Sequence, residues 1–353
     1  MGKNKCVNNT PKNLKEHISK WIIEESKHTY KYYRTTLSDD EKRCYDAYIN
    51  AFFTFQGKVR IPIRDAYKCE HVYQLCILDN PLLFYVENVY IWKKAGEIEA
   101  EIEYYSDESG LFQIWKEIDR IIKLVRGECA EKSDIKREEM IHNTMVSSVD
   151  YKNSESIPVH SSYSAFMYHK AVCDGISKMT KILFDAVDIP SLIVYGKSWR
   201  NIYKDGTRAE EGNHAWNMVK IGNDFYHIDV TFDLNLTKKK VIRYDYFNLT
   251  DEQISRDHSY NLLPETPIKE NDFFRCKGRF FANKKKLKEY ILEEINSGNK
   301  NIGFKLPYTK DPDETYKSIS ELIKTSIKQS QIIASKYYIS FNPEQMVIYL
   351  ELH

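Results

Sequence analysis

The stretch from Cys173 to Val187 constrains this chain more than any other. Ile176, Met179, Leu183, Phe184 and Val187 recur at helical spacing, and the run stops before Pro190. A helix this long and apolar is expected as the buried centre of its domain. The sequence beyond it supplies a sheet to cover it. Ala215, Asn217, Val219 and Ile221 alternate with His214, Trp216 and Met218 as a strand. Gly222-Asn223 makes a turn, and Phe225 to Thr231 reads as the returning strand.

Around this centre the patterns mix helix and strand. Residues 1 to about 35 read as a polar helical leader with modest packing. Ser38 and Glu41 then form a capping box, with Leu37 in the staple position, ahead of a helix that buries Tyr45, Tyr48, Ile49, Phe52 and Phe53. Val59, Ile61 and Ile63 alternate as a strand, as do Ile98, Ala100, Ile102 and Tyr104. A helix through Cys69, Val72 and Cys76 stops at Asn80-Pro81, and another from Leu111 to Val125 is expected to end at Gly127. A helix from about Ser133 to Ser147 opens the next part. Beyond residue 270 the periods give helix, strand, helix and a closing hairpin that turns at Asn342-Pro343. The fold class is therefore α+β. Three domains are expected: an accessory α+β domain over 1–127, a central domain over 128–268, and a C-terminal α+β domain over 269–353.

Composition excludes several classes of function. The 52 basic and 51 acidic side chains leave a net charge of +1, so charge alone draws the chain to neither nucleic acid nor an anionic membrane. The runs Lys238-Lys239-Lys240 and Lys284-Lys285-Lys286 read as solvated surface. No stretch approaches the roughly 18 apolar residues of a membrane-spanning helix. The first residues lack the apolar core of an export signal, and the seven cysteines are odd in number and follow no framework pattern. Both features point to a cytoplasmic setting, unless an export signal has been removed. Cys69, His71 and Cys76 fall on different sides of one helix, so no metal site is expected there, and no phosphate loop or cofactor motif occurs.

Three residues carry the candidate chemistry. Cys173 begins the apolar helix, where unpaired backbone N–H groups and the positive dipole end favour a thiolate and can hold an oxyanion. Gly175 removes a side chain near the sulfur, which would let a substrate backbone approach. An even hairpin loop sets His214 and Asp229 on one face as diagonal neighbours, within reach of a hydrogen bond that orients the imidazole. A bulge would break that register, and His227 lies on the same side as a rival. Each residue alone also has a plain structural reading, the cysteine as a small buried hydrophobe above all.

The stretch from about 135 to 260 resembles the transglutaminase-like superfamily of papain-like folds, in its bacterial branch. Four blocks carry the resemblance: Lys170-Ala171-Val172-Cys173-Asp174-Gly175; Asn213-His214-Ala215-Trp216-Asn217-Met218-Val219; Phe225 through Asp233; and Tyr246 through Glu252 followed by Asp257-His258. Asn143 stands where related sequences tend to carry Asp after Ile141-His142. The resemblance implies a papain-like core, a central helix against an antiparallel sheet, with Cys173, His214 and Asp229 as the catalytic triad. Tyr163, in the lead-in to the nucleophile, would face the oxyanion, and Trp216 is assigned to the same oxyanion or substrate-binding role. The implied reaction is acyl transfer on protein or peptide amides without a cofactor. Hydrolysis of the cysteine-protease kind is favoured, because no walls of an amine channel are recognisable. A cross-linking transglutaminase and a non-catalytic binding scaffold are the alternatives.

Overall fold

The computed structural model describes residues 13–94, 96–202, 208–237, 241–261, 263–267, 270–330 and 336–353. The chain divides into two compact units, Met1–Val194 with Ala215–Asn223 and Tyr195–His214 with Asp224–His353. The fold is α+β, as the mixture of periods requires, and its sheets are built mainly from antiparallel pairs.

The first unit opens with α1 (Leu14–Glu25), α2 (Tyr32–Thr36) and α3 (Asp39–Phe53). Leu14, Ile18 and Ile22 form one buried stripe on α1, and Trp21 Nε1 donates to Asp119 Oδ1 at 3.0 Å. This helix packs more firmly than a polar leader was expected to, because three apolar residues at helical spacing suffice to seat it. Ser38 closes the capping box of α3, its backbone N–H donating to Glu41 Oε2 at 3.0 Å. Then come β1 (Lys58–Ile61), α4 (Ala66–Asp79), β2 (Val86–Lys94) and β3 (Glu97–Tyr104), with sheet order β1–β3–β2. The sequence reading missed β2. Its Tyr90 and Trp92 are exposed, so it lacks the clean polar/apolar alternation that marks β3.

Next, α5 (Glu108–Cys129) runs on through Gly127, where a stop was expected; nothing there forces a left-handed residue, and Cys129 extends the buried face. After α6 (Asp134–Ser148), the short parallel pair β4 (Asp150–Tyr151) and β5 (Lys170–Ala171) brackets α7 (Ser162–Tyr168) and delivers the chain to α8 (Cys173–Ala186). This is the central helix. Every residue from Gly175 to Ala186 is buried except Lys178. Two devices hold it. Asn217 Nδ2 donates to the Ser177 carbonyl at 3.1 Å, and buried Lys181 donates to the carbonyls of Tyr30 and Ser191 and to Asp185 at 3.0, 2.9 and 3.1 Å. Burial is the main cause that pushes the Asp185 carboxyl up to about 7.

Two long strands, β6 (Ser191–Ile202) and β7 (Arg208–Ile221), come next; the unit borders after Val194 and His214 fall within them, and a third falls after Asn223, just past β7. The second unit continues with β8 (Asp224–Ile228), α9 (Val230–Leu236), α10 (Asp251–Ile254) and β9 (His258–Tyr260), and the sheet order is β8–β7–β6–β9. The returning strand was expected to reach Thr231. It stops at Ile228 because Asp229 turns the chain into α9 as its N-cap.

The rest of this unit comprises α11 (Phe273–Cys276), α12 (Lys284–Asn296), β10 (Asn301–Lys305), α13 (Pro312–Gln329), β11 (Tyr337–Asn342) and β12 (Val347–Leu352). Its sheet, ordered β10–β12–β11, and its two long helices bury a cluster built on Leu287, Ile291, Ile302, Phe304, Ile323 and Ile348. Lys284 to Lys286 are exposed, as expected; Lys238 to Lys240 lie outside the described residues. Among the described residues no helix is long and apolar enough to cross a membrane.

Candidate active site

In the first unit, Cys173 is the first residue of α8 and is half-buried. Val172 precedes it in extended conformation and caps the helix with no side-chain hydrogen bond, so the first N–H groups meet no capping oxygen from that residue. Ser177 Oγ donates to the Cys173 carbonyl at 2.8 Å, and Lys178 Nζ pairs with Asp174 at 2.9 Å one turn on. Gly175 turns out to serve the fold. A Cβ at this position would lie 2.5 Å from the Val159 carbonyl oxygen and 2.9 Å from that of Ser161. The space expected for a substrate backbone is filled by the chain itself.

Two further sequence candidates sit in this unit. Tyr163 lies on α7 with its ring 6.3 Å from those of Phe84 and of Tyr105, and burial is the main cause that raises its hydroxyl to about 12. Trp216 is almost wholly buried on β7. Cys69 and Cys76 are buried on α4 while His71 is exposed, so these three do not converge.

In the second unit, His214 and Asp229 meet. His214 Nε2 lies 2.6 Å from Asp229 Oδ2, with both side chains buried. The hairpin register had placed them as neighbours; the contact is made from an N-cap instead of a strand position. Asp229 Oδ1 accepts the Phe232 N–H at 2.9 Å, and its own N–H donates to the Tyr246 carbonyl at 3.0 Å. The carboxylate is thus fixed by the start of α9, and its second oxygen is left for the imidazole. Burial opposes the charge on Asp229, but the facing imidazoles and their N–H groups outweigh it and hold the carboxyl well below the usual range. An ionised Asp229 accepts, so Nε2 is the donating nitrogen of His214 in this pair.

His227, the rival base, is directed elsewhere. It is fully buried with Nε2 at 2.9 Å from Asp251 Oδ1, and burial is the main cause that lowers its pKa.

One contact was missed from the sequence. His258 Nε2 lies 3.1 Å from Asp229 Oδ2, the oxygen that His214 also uses. Its Nδ1 lies 2.7 Å from Asp257 Oδ1, and Asp257 Oδ2 accepts the Tyr246 hydroxyl. The Asp257-His258 dipeptide stood in a block of the family resemblance, but no local pattern ties it to Asp229. The link is made by β9, which pairs His258 with Ser198 of β6.

The ligand atoms of His214, Asp229 and His258 lie within 4.8 Å of one another, the spacing of a possible metal centre. Their geometry does not suit one. Ligands held at about 2.0–2.2 Å around a tetrahedral ion stand about 3.3 Å apart. Here two nitrogens close on one oxygen at 2.6 and 3.1 Å, as N–H donors do around an acceptor.

Residues 123–230 match the transglutaminase-like superfamily. The matched segment contains Cys173, His214 and Asp229. No curated protein matches the chain. Among solved structures, a candidate cysteine protease from Cytophaga hutchinsonii is similar at 13% identity and a TM-score of 0.28, over 42% of this chain and 63% of that one. A protein described as a TGase is similar at 12% identity and a TM-score of 0.28, over 53% of each chain. A candidate protease from Parabacteroides distasonis is similar at 9% identity and a TM-score of 0.24, over 40% of this chain and 35% of that one. The chain thus spans less than two thirds of the length of each.

Proposed function

We propose that this protein is a thiol-dependent acyl-transfer enzyme that hydrolyses protein or peptide amides, with Cys173 as nucleophile, His214 as base and Asp229 as its orienter. The observation that carries the reading is the buried 2.6 Å pair of His214 and Asp229 within the transglutaminase-like segment. A carboxylate held by a helix start and aimed at one imidazole nitrogen is what a histidine base needs to keep one tautomer.

In this reading His214 Nδ1 takes the Cys173 proton, and the thiolate adds to the amide carbonyl. Backbone N–H groups at the start of α8 receive the oxyanion, with Tyr163 as a further donor and Trp216 bordering the same site. His214 then gives its proton to the nitrogen as the C–N bond breaks, and the amine departs, leaving a thioester. His214 next takes a proton from water; the hydroxide oxygen bonds to the acyl carbon, the C–S bond breaks, and the acid and thiol are restored. An amine in place of water would give transamidation by the same steps.

The test is turnover of a mixed peptide-amide library, read both as hydrolysis and as incorporation of a labelled primary amine. Cys173→Ala and His214→Ala are expected to lose more than about a thousandfold in rate, and Asp229→Ala less than His214→Ala, since the orienter acts only through the base. Release of free acid would support hydrolysis, and dominant amine incorporation would replace it with cross-linking. Full turnover by a folded Cys173→Ala protein would end the proposal.

A further inference from the structure

Asp229 is served by more than one imidazole. Its Oδ2 faces Nε2 of both His214 and His258, at 2.6 and 3.1 Å, and the two rings are 5.4 Å apart between centroids. His258 is in turn backed by Asp257, whose Oδ1 stands 2.7 Å from Nδ1. A closed circuit holds this pair. Asp257 Oδ2 accepts the Tyr246 hydroxyl, the Tyr246 carbonyl accepts the Asp229 N–H, and the Asp257 carbonyl accepts the Trp199 N–H. His258, Asp257, Tyr246 and Asp229 are all nearly inaccessible to water.

The proton count in this circuit is informative. Asp229 is an acceptor, so His258 donates to it from Nε2. Its Nδ1 then faces the Asp257 carboxylate, which already accepts the tyrosine hydroxyl on its other oxygen. Both ring nitrogens therefore point at acceptors, the arrangement of an imidazolium between two carboxylates. Burial opposes that charge, but Asp257 and Asp229 together outweigh it and hold the proton more tightly than a free imidazole would. The Phe232 ring lies tilted and the Tyr246 ring edge-on to that of His258, with centroids 4.7 and 5.8 Å away.

We infer that His258, held by Asp257, is a positioning residue for the proposed acyl transfer: it shares the oxygen of Asp229 with His214 and limits how basic His214 becomes. The inference rests on the reading of His214 as the base. A buried carboxylate raises the basicity of the imidazole it faces. A second cation on the same oxygen offsets part of that pull.

The experiment is an NMR titration of the histidine rings in Cys173→Ala protein, with and without His258→Gln. Glutamine keeps a donor for Asp229 and removes the positive charge, leaving Asp257 and Asp229 uncompensated. The His214 midpoint is expected to rise by about one pH unit or more. A merely structural role would lower the melting temperature and leave that midpoint in place, which would overturn the inference. Should His258→Gln fail to fold, Asp257→Asn carries the test: the His258 midpoint should then fall by at least about one unit. An unmoved His258 midpoint would overturn it equally. Neither readout depends on catalysis. Ordinary reactivity of Cys173 in the parent protein would instead strike the acyl-transfer reading and leave these titrations standing.

Discussion

Asp229 does two jobs with one carboxylate, and that division explains how much of the site could be read from residues alone. Oδ1 caps α9 through the Phe232 N–H, while Oδ2 faces His214. Strand alternation was enough to bring His214 and Asp229 to one side, because a hairpin fixes neighbours by counting. It was not enough to foresee the cap, since an Asp within a strand and an Asp at a helix start can share the same preceding sequence. His258 was illegible as a partner because its contact depends on how β9 pairs with β6. Gly175 was legible as a position needing no side chain, but the neighbour that needs the space proved to be the protein's own backbone. Gly175→Ala is therefore expected to destabilise the fold by about 1–3 kcal/mol, as two carbonyls must shift to admit the methyl. Denaturant melts of the two proteins check this, and an unchanged midpoint would show that the 159–161 loop yields freely.

Elements were readable where their period was strong and their ends carried chemistry. The Ser38/Glu41 capping box, the stop of α4 at Asn80-Pro81 and the apolar run of α8 all rest on local signals, and each lies where those signals put it. Errors arose where tertiary contacts decide. β2 offers Tyr90 and Trp92 to solvent and pairs through its backbone with β3, so its side chains announce no buried face. α1 looked like a loosely packed leader because its stripe is only three residues long, yet Ile18 is fully buried. α5 crosses Gly127 because helical packing on either side outweighs the roughly 1 kcal/mol that glycine costs in a helix.

At the scale of the molecule, the sequence suggested three domains, and the structure divides into two compact units with borders in β6, in β7 and in the turn after β7. Within the second unit, polar contacts explain why the C-terminal part stays with the segment before it. Arg243 donates to Ser340 Oγ at 2.8 Å, Arg256 to the Glu344 carbonyl at 3.1 Å, and Gln345 Nε2 to the Gln253 carbonyl at 3.1 Å. We nevertheless propose that 269–353 is a domain, since its helices and sheet bury a core of their own. A fragment of those residues is expected to melt cooperatively by circular dichroism. A featureless melt would assign it to a larger folding unit.

The central claim, that Cys173 is a nucleophile governed by His214, is tested most directly by the rate of alkylation of each thiol against pH, resolved by peptide mass mapping. Cys44, Cys69, Cys76 and Cys129 are buried, and exposed Cys276 provides a reference in the same sample. Cys173 should react at a pH well below the free-thiol value of about 8.5, ahead of Cys276, and should lose that advantage in His214→Ala. A Cys173 that titrates with Cys276, or reacts identically with and without His214, would contradict the account.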